Sequence, residues 1–399
     1  MPIERRTVGV MFAASAVSVA NIYYCQPLLS MIGRSLNVSD RAIGYLPMWT
    51  QAGTALGMFA FVPLGDMFPR RKLIVIMCAI SASTAAMMAA APNLALVNAA
   101  GCAVGLAGIV AHLILPFAAK LAPAHKRGHV VGTILSGLLL GILLARLLSG
   151  FVGDLLGWRA MYWIAAAVMF ALSIALRYAL PYDRPEAGLR YRELVRSIAD
   201  LALHQPVLRE AAVIGGMLFG AFSGFWATLV FFLATPPYHY GPRVAGLFGV
   251  VGAAGVLFAP WAGRITDRKG PAFTVALAIL TALAAFVIFA VAGRQMWGLI
   301  AGVILLDLGV QAGHVANQTR IYALIPEARS RLNTVYMVTY FLGGSLGSAL
   351  GAYGWSRWGW NGVCAAGAMQ LVVALSWSGA SAARNRRTDD GLGSVQAAD

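Results

Sequence analysis

The stretch GRITDRKG, residues 263–270, places four charged side chains in a short turn between two long apolar runs. A similar stretch, PLGDMFPRRK at residues 63–72, occurs in the first half of the chain, and Asp66 and Asp267 are separated by 201 residues. Two further pairs have nearly the same offset: Pro123 and Pro326 are 203 residues apart, and the Gly-Trp pairs at 157–158 and 359–360 are 202 residues apart. The sequence therefore predicts two halves with the same order of helices, which is a parallel repeat.

The composition is that of a membrane protein. Of 399 residues, 59% are apolar and 11% are charged, and the mean hydropathy is +0.74. A bilayer core of about 30 Å needs about 20 apolar residues as a helix. Twelve such runs are predicted, at residues 8–33, 42–63, 73–91, 94–119, 129–152, 159–180, 207–235, 243–263, 271–292, 296–319, 332–355 and 359–380. Their length and lack of alternation predict helices rather than barrel strands.

The predicted fold class is therefore an all-α membrane protein with twelve transmembrane helices in two pseudo-symmetric six-helix bundles. The expected domains are an N-terminal bundle at 1–180, a cytoplasmic linker at 181–206, a C-terminal bundle at 207–380 and a disordered cytoplasmic tail at 381–399. Part of the linker is expected to be an amphipathic helix, because apolar residues recur at helical spacing. These are Tyr191, Leu194, Val195, Ile198, Leu201 and Ala202.

The net charge of +15 reflects membrane topology rather than nucleic-acid binding. Most of the 30 Lys and Arg residues fall in loops and tails on the side of the N-terminus, which predicts that both termini are cytoplasmic. We expect a multi-pass protein of the plasma membrane, or of the inner membrane in a bacterium, and a monomer. The four Cys residues lie inside apolar runs without zinc spacing, so neither disulfides nor a metal site are expected.

The charged turn GRITDRKG resembles the motif G-x-x-x-D-R-x-G of the major facilitator superfamily, which lies between helices two and three and again between helices eight and nine. The second copy is complete, with Gly263, Asp267, Arg268 and Gly270. The first copy keeps Asp66, Arg70 and Arg71 but has Val62 and Pro69 where the motif has Gly. The resemblance covers residues 5–380 and implies a secondary transporter similar to the twelve-span drug and metabolite exporters of the drug:proton antiporter type.

The two motif copies are candidate gating elements. An Asp just beyond a helix end can face the positive N-terminus of a neighbouring helix, and the adjacent basic residues can find acidic or carbonyl partners. We expect Asp66 and Asp267 to latch the outward-facing state on the cytoplasmic side. The alternative is that these residues only anchor the topology.

Asp307 is the acidic residue that lies well inside an apolar run. Because an ionisable group in hydrocarbon is costly, such a residue is a functional candidate. Gln311, His314 and Gln318 share its helix face. We expect Asp307 to couple transport to a proton; direct contact with a cationic or polar substrate and a purely structural hydrogen bond are the alternatives.

The fourth run carries His112 on a stripe with Gly101, Gly105, Gly108 and Pro116. His112 and His314 are 202 residues apart, so we expect them to face each other across the pseudo-twofold axis, where they could relay a proton or contact substrate. The alternative is two satisfied core residues. In the resembled family the first, fourth, seventh and tenth helices line the cavity, which adds the candidates Asn21, Tyr24, Gln26 and Trp226.

The fifth run contains GILLARLLSG, residues 141–150, which resembles the antiporter-associated motif g-x-x-x-G-P-x-x-G-G of the same family. The matching positions are Gly141, Ala145, Arg146, Ser149 and Gly150. Arg146 stands in place of the proline, and a buried Arg needs an anion or several carbonyl groups. Asp307 and an anionic group of the substrate are both candidates. Gly343, Gly347 and Gly351 form a similar seam, which indicates either a sliding contact between the halves or ordinary helix packing.

We expect a secondary active transporter that works by rocker-switch alternating access and couples export of a small organic molecule to proton entry, as an antiporter. The alternative is a proton symporter or facilitator that imports a polar metabolite such as a sugar or organic acid; a transporter-like sensor is a third reading. No Walker A or HExxH motif occurs, which argues against ATP-driven pumps and zinc peptidases. The expected partners are a small-molecule substrate and the lipid bilayer, with no nucleic acid and no cofactor besides the proton gradient.

Overall fold

The computed structural model describes residues 5–123, 126–183, 191–257, 259–325 and 328–396, without the side chains of residues 66, 254–260, 262 and 380–396. These residues form helices and no strands. The helices are α1 (Arg5–Tyr23), α2 (Cys25–Ser35), α3 (Asp40–Gly44), α4 (Leu46–Phe61), α5 (Arg70–Ala90), α6 (Leu94–Ala107), α7 (Val110–Leu121), α8 (Arg127–Leu156), α9 (Trp158–Ala179), α10 (Tyr191–His204), α11 (Pro206–Ala234), α12 (Pro242–Leu257), α13 (Ala259–Lys269), α14 (Pro271–Ala292), α15 (Met296–Tyr322) and α16 (Arg329–Gln396).

The chain has the helices of a multi-pass membrane protein. Eight helical segments of the described residues are long and apolar enough to cross a bilayer, and the pair α1 and α2, bent by 42°, makes up to nine. The long helix α16 contains non-helical backbone at Trp358 and Gly359, so it consists of two helices joined at a kink. The backbone after residue 380 stays helical to Gln396, where the sequence predicts a disordered tail.

The repeated landmarks of the sequence mark equivalent turns in the backbone. Gly157 ends α8 with φ +84°, and Gly359 lies at the kink of α16 with φ +56°. Both values lie in the left-handed region that glycine adopts without a steric cost. Gly270 has φ +83° before α14, whereas its counterpart Pro69 has φ −53° before α5. The departure of the first motif copy from the family pattern therefore changes the backbone of that turn, because proline fixes φ near −65°.

The glycine seam of α16 packs within the C-terminal half. A Cβ atom at Gly343 would overlap the carbonyl oxygen of Gly216 on α11, and one at Gly347 would overlap that of Gly220. A Cβ at Gly351 would lie 2.8 Å from Cα of Gly224. The seam is thus ordinary close helix packing of small residues, and it is not the sliding contact between the halves that the sequence also allowed.

Direct contacts between the halves lie toward one end of the bundle. A Cβ at Gly150 on α8 would lie 3.0 Å from Cα of Gly246 on α12. Oγ of Ser345 on α16 donates a 3.0 Å hydrogen bond to the carbonyl oxygen of Met48 on α4. Toward the other end of the same α8 face, Gly132 and Ser136 are exposed. The two halves are therefore packed at one end of this face and apart at the other.

Helix α10 joins the two halves at the end opposite these contacts. Leu194 and Ile198 are buried, which fits the apolar face expected for an amphipathic helix. The Tyr191 hydroxyl donates to the carbonyl oxygen of Ala60 on α4 at 3.3 Å, and the Arg331 side chain donates to Oγ of Ser197. The linker helix therefore binds one helix of each half.

The glycine seam gives a stability prediction. In Gly347→Ala the added methyl group would overlap the backbone of Gly220, so we expect the free energy of unfolding to fall by about 1–3 kcal/mol, the usual cost of overpacking. The measurement is the melting temperature of the purified protein in detergent. Gly132→Ala is the matched control, because a Cβ there meets no atom within 4 Å. Equal melting temperatures for the two variants would contradict the close packing of α16 against α11 at Gly347.

Candidate functional site

Arg146 lies at the boundary between the two halves and is only 2% exposed. Its Nε donates a 2.8 Å hydrogen bond to Oε1 of Gln26 on α2, in the same half. Its guanidinium lies over the ring of Trp226 on α11, 3.9 Å from the centroid, and 5.5 Å from that of Phe222. A cation over an aromatic face is stabilised most when water is excluded. Arg146 therefore links the N-terminal half to the aromatic residues of the C-terminal half.

Asp307 supplies the negative charge nearest to this arginine. It lies on α15, is 5% exposed, and interacts electrostatically with Arg146. Within the described residues no direct hydrogen bond joins the two groups, and Oδ2 of Asp307 and Nη2 of Arg146 both lack a hydrogen-bond partner. Each charge compensates the other in a medium of low dielectric constant. The sequence named Asp307 as one candidate partner of Arg146, and the structure brings the two together.

Three glycines of α12 make room for this pair. A Cβ at Gly246 would lie 2.6 Å from the carbonyl oxygen of Arg146, and one at Gly249 would lie 3.0 Å from its Cβ. A Cβ at Gly252 would lie 2.9 Å from Oδ1 of Asp307. These glycines were not among the residues predicted from the sequence, although their regular spacing in GLFGVVG, residues 246–252, is a signal of close helix approach.

The two predicted histidines lie near each other, one on each half, without a direct hydrogen bond or ring contact between them among the described residues. His112 on α7 and His314 on α15 are half-buried and close enough to interact electrostatically. The ring of His112 packs edge-on against Phe341, with centroids 6.2 Å apart. Nδ1 of His314 shares a 3.1 Å hydrogen bond with the Tyr336 hydroxyl, and its ring lies 4.9 Å from that of Tyr340. Both histidines thus have aromatic surroundings.

An aromatic wall connects the histidines to Arg146. We define it as Phe219, Phe222 and Trp226, which share one face of α11. Phe222 lies 5.7 Å from Phe219 and 6.0 Å from Trp226 between centroids. Phe219 in turn stacks on Tyr340 at 4.0 Å. The sequence analysis selected Trp226 alone, although the spacing of the wall in FGAFSGFW shows the helical period.

Two candidates of the first helix face elsewhere. Asn21 donates a 3.2 Å hydrogen bond to Oγ of Ser81 on α5, and Tyr24 packs edge-on against Tyr162 on α9. Both therefore lie inside the N-terminal bundle, and Tyr23, with its ring centroid 5.2 Å from the guanidinium, faces Arg146. The bend between α1 and α2 at Tyr24 shifts the face that a straight helix would present.

The remaining polar candidates of α15 extend away from Arg146. Gln311 is half-buried, and Nε2 of Gln318 donates to Oδ1 of Asn333 on α16 at 3.4 Å. The same oxygen accepts a 2.9 Å hydrogen bond from the Tyr322 hydroxyl. Gln318 is therefore held within the C-terminal half, farther along α15 than the histidines.

The predicted gating residues lie at a bundle end, apart from Arg146. Nε of Arg70 donates to the carbonyl oxygen of Gly65 at 2.9 Å, and the Arg71 side chain donates to that of Arg177. Asp267 and Arg268 are exposed, and a Cβ at Gly263 would meet no atom within 4 Å. Within the described residues Asp267 forms no ion pair. The side chain of Asp66 lies outside the described part of the structure.

The residues of the fifth-run motif on α8 contact α1, α12 and the backbone of α8 itself. Gly141 packs against Ala16 of α1 within the N-terminal half, while Gly150 contacts α12 of the other half. Ala145 is fully buried, and Oγ of Ser149 donates to the carbonyl oxygen of Arg146 at 3.3 Å. The small residues around Arg146 thus allow close approach on two sides of α8.

Many apolar helices, two repeated halves and a buried charged pair at their boundary are the features of a membrane transporter. The family model of the Major Facilitator Superfamily matches residues 11–348. The chain is 41% identical over 369 residues to the putative uncharacterized transporter YgaY of Escherichia coli (strain K12), covering 92% of this chain and 94% of that protein. It is therefore a transporter of the Major Facilitator Superfamily, which is not an enzyme family.

More distant proteins share parts of this likeness. The chain is 28% identical over 269 residues to the chloramphenicol efflux pump Rv0191 of Mycobacterium tuberculosis (strain ATCC 25618 / H37Rv), covering 64% of this chain and 63% of that protein. The fold is similar to that of a bacterial homolog of the human lysosomal transporter Spinster in an inward-facing and occupied conformation, with a TM-score of 0.72 and 14% identity, covering 96% of both chains.

The charged pair gives a second stability prediction. Arg146→Gln leaves Asp307 buried without its compensating charge, so we expect the free energy of unfolding to fall by about 3–5 kcal/mol. The double variant Arg146→Gln, Asp307→Asn removes both charges and should recover a large part of that loss. Melting temperatures of the single and double variants test this. Arg243→Gln is the control, since this exposed arginine also lies over a ring, that of Phe151. If the losses of stability in the two single variants simply add in the double variant, the interaction between Arg146 and Asp307 is contradicted.

Proposed function

We propose that this transporter moves a small organic molecule by rocker-switch alternating access and couples its movement to a proton gradient. The observation that carries the proposal is the buried pair of Arg146 and Asp307 at the boundary between the halves. A proton that binds Asp307 removes the charge that compensates Arg146. Protonation therefore changes the electrostatic balance across the boundary that has to open and close during transport.

The proposed topology has twelve spans. Each half contributes six: α1 with α2, α4, α5, α6 with α7, α8 and α9 in the first half, and α11, α12 with α13, α14, α15 and the two parts of α16 in the second. The concentration of basic residues near α10 and the N-terminus supports a cytoplasmic position for both termini. In this orientation the contact between Gly150 and Gly246 is extracellular and the exposed Ser136 is cytoplasmic, so the conformation is inward-facing.

Export is the direction that we propose for the substrate. The relative named as a chloramphenicol efflux pump and the resemblance of GILLARLLSG to the antiporter motif support it. Proton symport of an organic acid is the second candidate, and a specific observation favours it. Arg146 is a fixed positive charge in the core, which would repel a cationic substrate and attract an anionic one.

The roles of the histidines and of the charged turns remain part of the proposal. His112 and His314 interact electrostatically with each other, and His314 lies against Tyr340, which stacks on the aromatic wall; this supports a role in relaying the proton to Asp307 or in contacting substrate. Asp267 is exposed and forms no ion pair with the residues that the structure describes, which supports a latch that is released in the inward-facing state.

A flux measurement tests the coupling. The purified protein is reconstituted in liposomes, and uptake of benzoate and of chloramphenicol is followed under pH gradients of either sign. We expect gradient-driven flux in the wild type and at least about a tenfold loss of it in Asp307→Asn, because the amide cannot exchange a proton at these pH values. Asp154→Asn, on an exposed part of α8, is the matched control. Wild-type gradient-driven flux in Asp307→Asn would contradict the assignment.

The latch is tested by labelling. Ser136→Cys places a thiol on the α8 face that is exposed at the cytoplasmic end. In this background we expect Asp66→Asn and Asp267→Asn to raise labelling by a membrane-impermeant maleimide from the cytoplasmic side and to slow transport, because the outward-facing state loses a stabilising contact. Asp200→Asn, exposed on α10, is the control, and the protein without Ser136→Cys gives the background. If both Asn variants match the control in labelling and in rate, the latch is excluded.

A further inference from the structure

We propose that the substrate is an aromatic organic acid whose acidic group binds Arg146 in competition with Asp307. This inference rests on the proposed proton-coupled transport, in the form of its second candidate, proton symport of an organic acid, and gives the substrate class. It assigns Arg146 as the residue that binds the acidic group and the aromatic wall as the surface that binds the ring.

The site has a buried, charged hydrogen-bond donor without an acceptor. Nη2 of Arg146 lacks a partner among the described residues, and Arg146 is 2% exposed, whereas the indole N–H of Trp226 interacts with the carboxyl group of Asp307. An unpaired buried donor is costly, more so when it is charged. A carboxylate has two oxygens that can accept from a guanidinium in the favourable fork geometry. An acidic ligand would therefore satisfy the guanidinium donor of Arg146 that the described residues leave without an acceptor.

The surroundings of Arg146 favour an aromatic body for this ligand. Phe222 and Trp226 of the wall lie against the guanidinium, and Phe219 continues the wall to Tyr340. Sites for small organic ligands combine an apolar, aromatic lining with a few polar groups that fix the orientation. A flat ring could stack along the wall while its acidic group reaches Arg146. An inorganic anion would leave this surface unused.

The ligand needs the halves to separate. The cavity at Arg146 encloses about 10 Å³, which is room for one water molecule and not for an organic acid. Its lining consists of Gln26, Pro27, Arg146, Trp226, Leu229, Val230 and Ala245. Because Gln26 holds Arg146 on the N-terminal half and Trp226 belongs to the C-terminal half, movement of the halves would open this cavity. In the closed site Asp307 takes the place of the ligand as counter-charge.

Asp307 is the competitor that makes acid binding depend on pH. The titratable groups that interact with the pair are Tyr23 of α1, Cys25 of α2 and Tyr340 of α16. Tyrosine and cysteine are neutral at neutral pH in ordinary surroundings, so they do not compensate Arg146. A proton on Asp307 removes the competing anion, so acid and proton should bind together, and each should strengthen binding of the other. This cooperativity corresponds to the symport candidate.

The test compares acids with their neutral amides on the full chain in lipid nanodiscs. The pairs are benzoate with benzamide, salicylate with salicylamide, and 1-naphthoate with 1-naphthamide. Binding is measured by calorimetry at about pH 6 and about pH 8, where the acids stay ionised. We expect at least one acid to bind more tightly than its amide, and more tightly at the lower pH.

Single substitutions test the roles of Arg146 and Asp307 in acid binding separately. Arg146→Gln should weaken acid binding about 100-fold, in the range for removal of one partner of a buried charge pair. Asp307→Asn should bind the acid equally well at both pH values. Arg243→Gln should match the wild type. If Arg146→Gln does not fold, the neutral double variant Arg146→Gln, Asp307→Asn takes its place and should also fail to bind the acid.

Three results would overturn the inference: no acid binds, the amides bind as tightly as the acids, or the Arg146 variants keep acid binding. The flux measurement distinguishes a failure of this inference from a failure of the proposed proton coupling. Acid-selective binding that depends on Arg146, without gradient-driven flux, contradicts the proposed proton coupling and supports the assignment of Arg146. Gradient-driven flux of chloramphenicol without acid binding contradicts the inference and leaves the transport proposal standing.

Discussion

A permanent positive charge in a core of low dielectric constant constrains much of this structure. Arg146 cannot lose its proton at physiological pH, so its surroundings must compensate the charge. Gln26 accepts one hydrogen bond, Trp226 offers its ring face, and Asp307 supplies the opposite charge. These residues come from both halves. The guanidinium therefore ties the stability of the closed boundary to the ionisation of a single carboxyl group.

Glycine seams permit this arrangement by bringing helix backbones close together. On α12, Gly249 and Gly252 leave room for Arg146 and Asp307, while the seam of α16 against α11 stays within one half. The N-terminal half has its own version, with Gly141 of α8 against Ala16 of α1. Tight packing inside each half makes the halves stiff units. Movement can then concentrate at the boundary, where α8 packs on α12 through glycines and the charged groups of Arg146 and Asp307 lie.

The sequence predicted the fold class well because its signals are strong. Long apolar runs identify membrane helices, and the repeat of Asp66 and Asp267 identifies two equivalent halves. It also selected Asp307, Arg146 and the two histidines, since polar groups stand out in apolar runs. It also named Gln26, which binds Arg146, but it placed Asn21 and Tyr24 at the site, where the structure has Tyr23, because a bend between α1 and α2 cannot be read from residue spacing.

The sequence by itself determined that this protein is an all-helical, multi-pass membrane protein and which charged residues have to be explained. Hydrophobicity and periodicity are local properties, so the order of residues is enough to reveal them. Only the tertiary structure decided which of these residues meet. Whether Gly343 faces the other half or its own, and whether Arg146 finds Gln26, Trp226 or Asp307, depends on helix rotation and tilt. Those are set by packing between segments far apart in the chain.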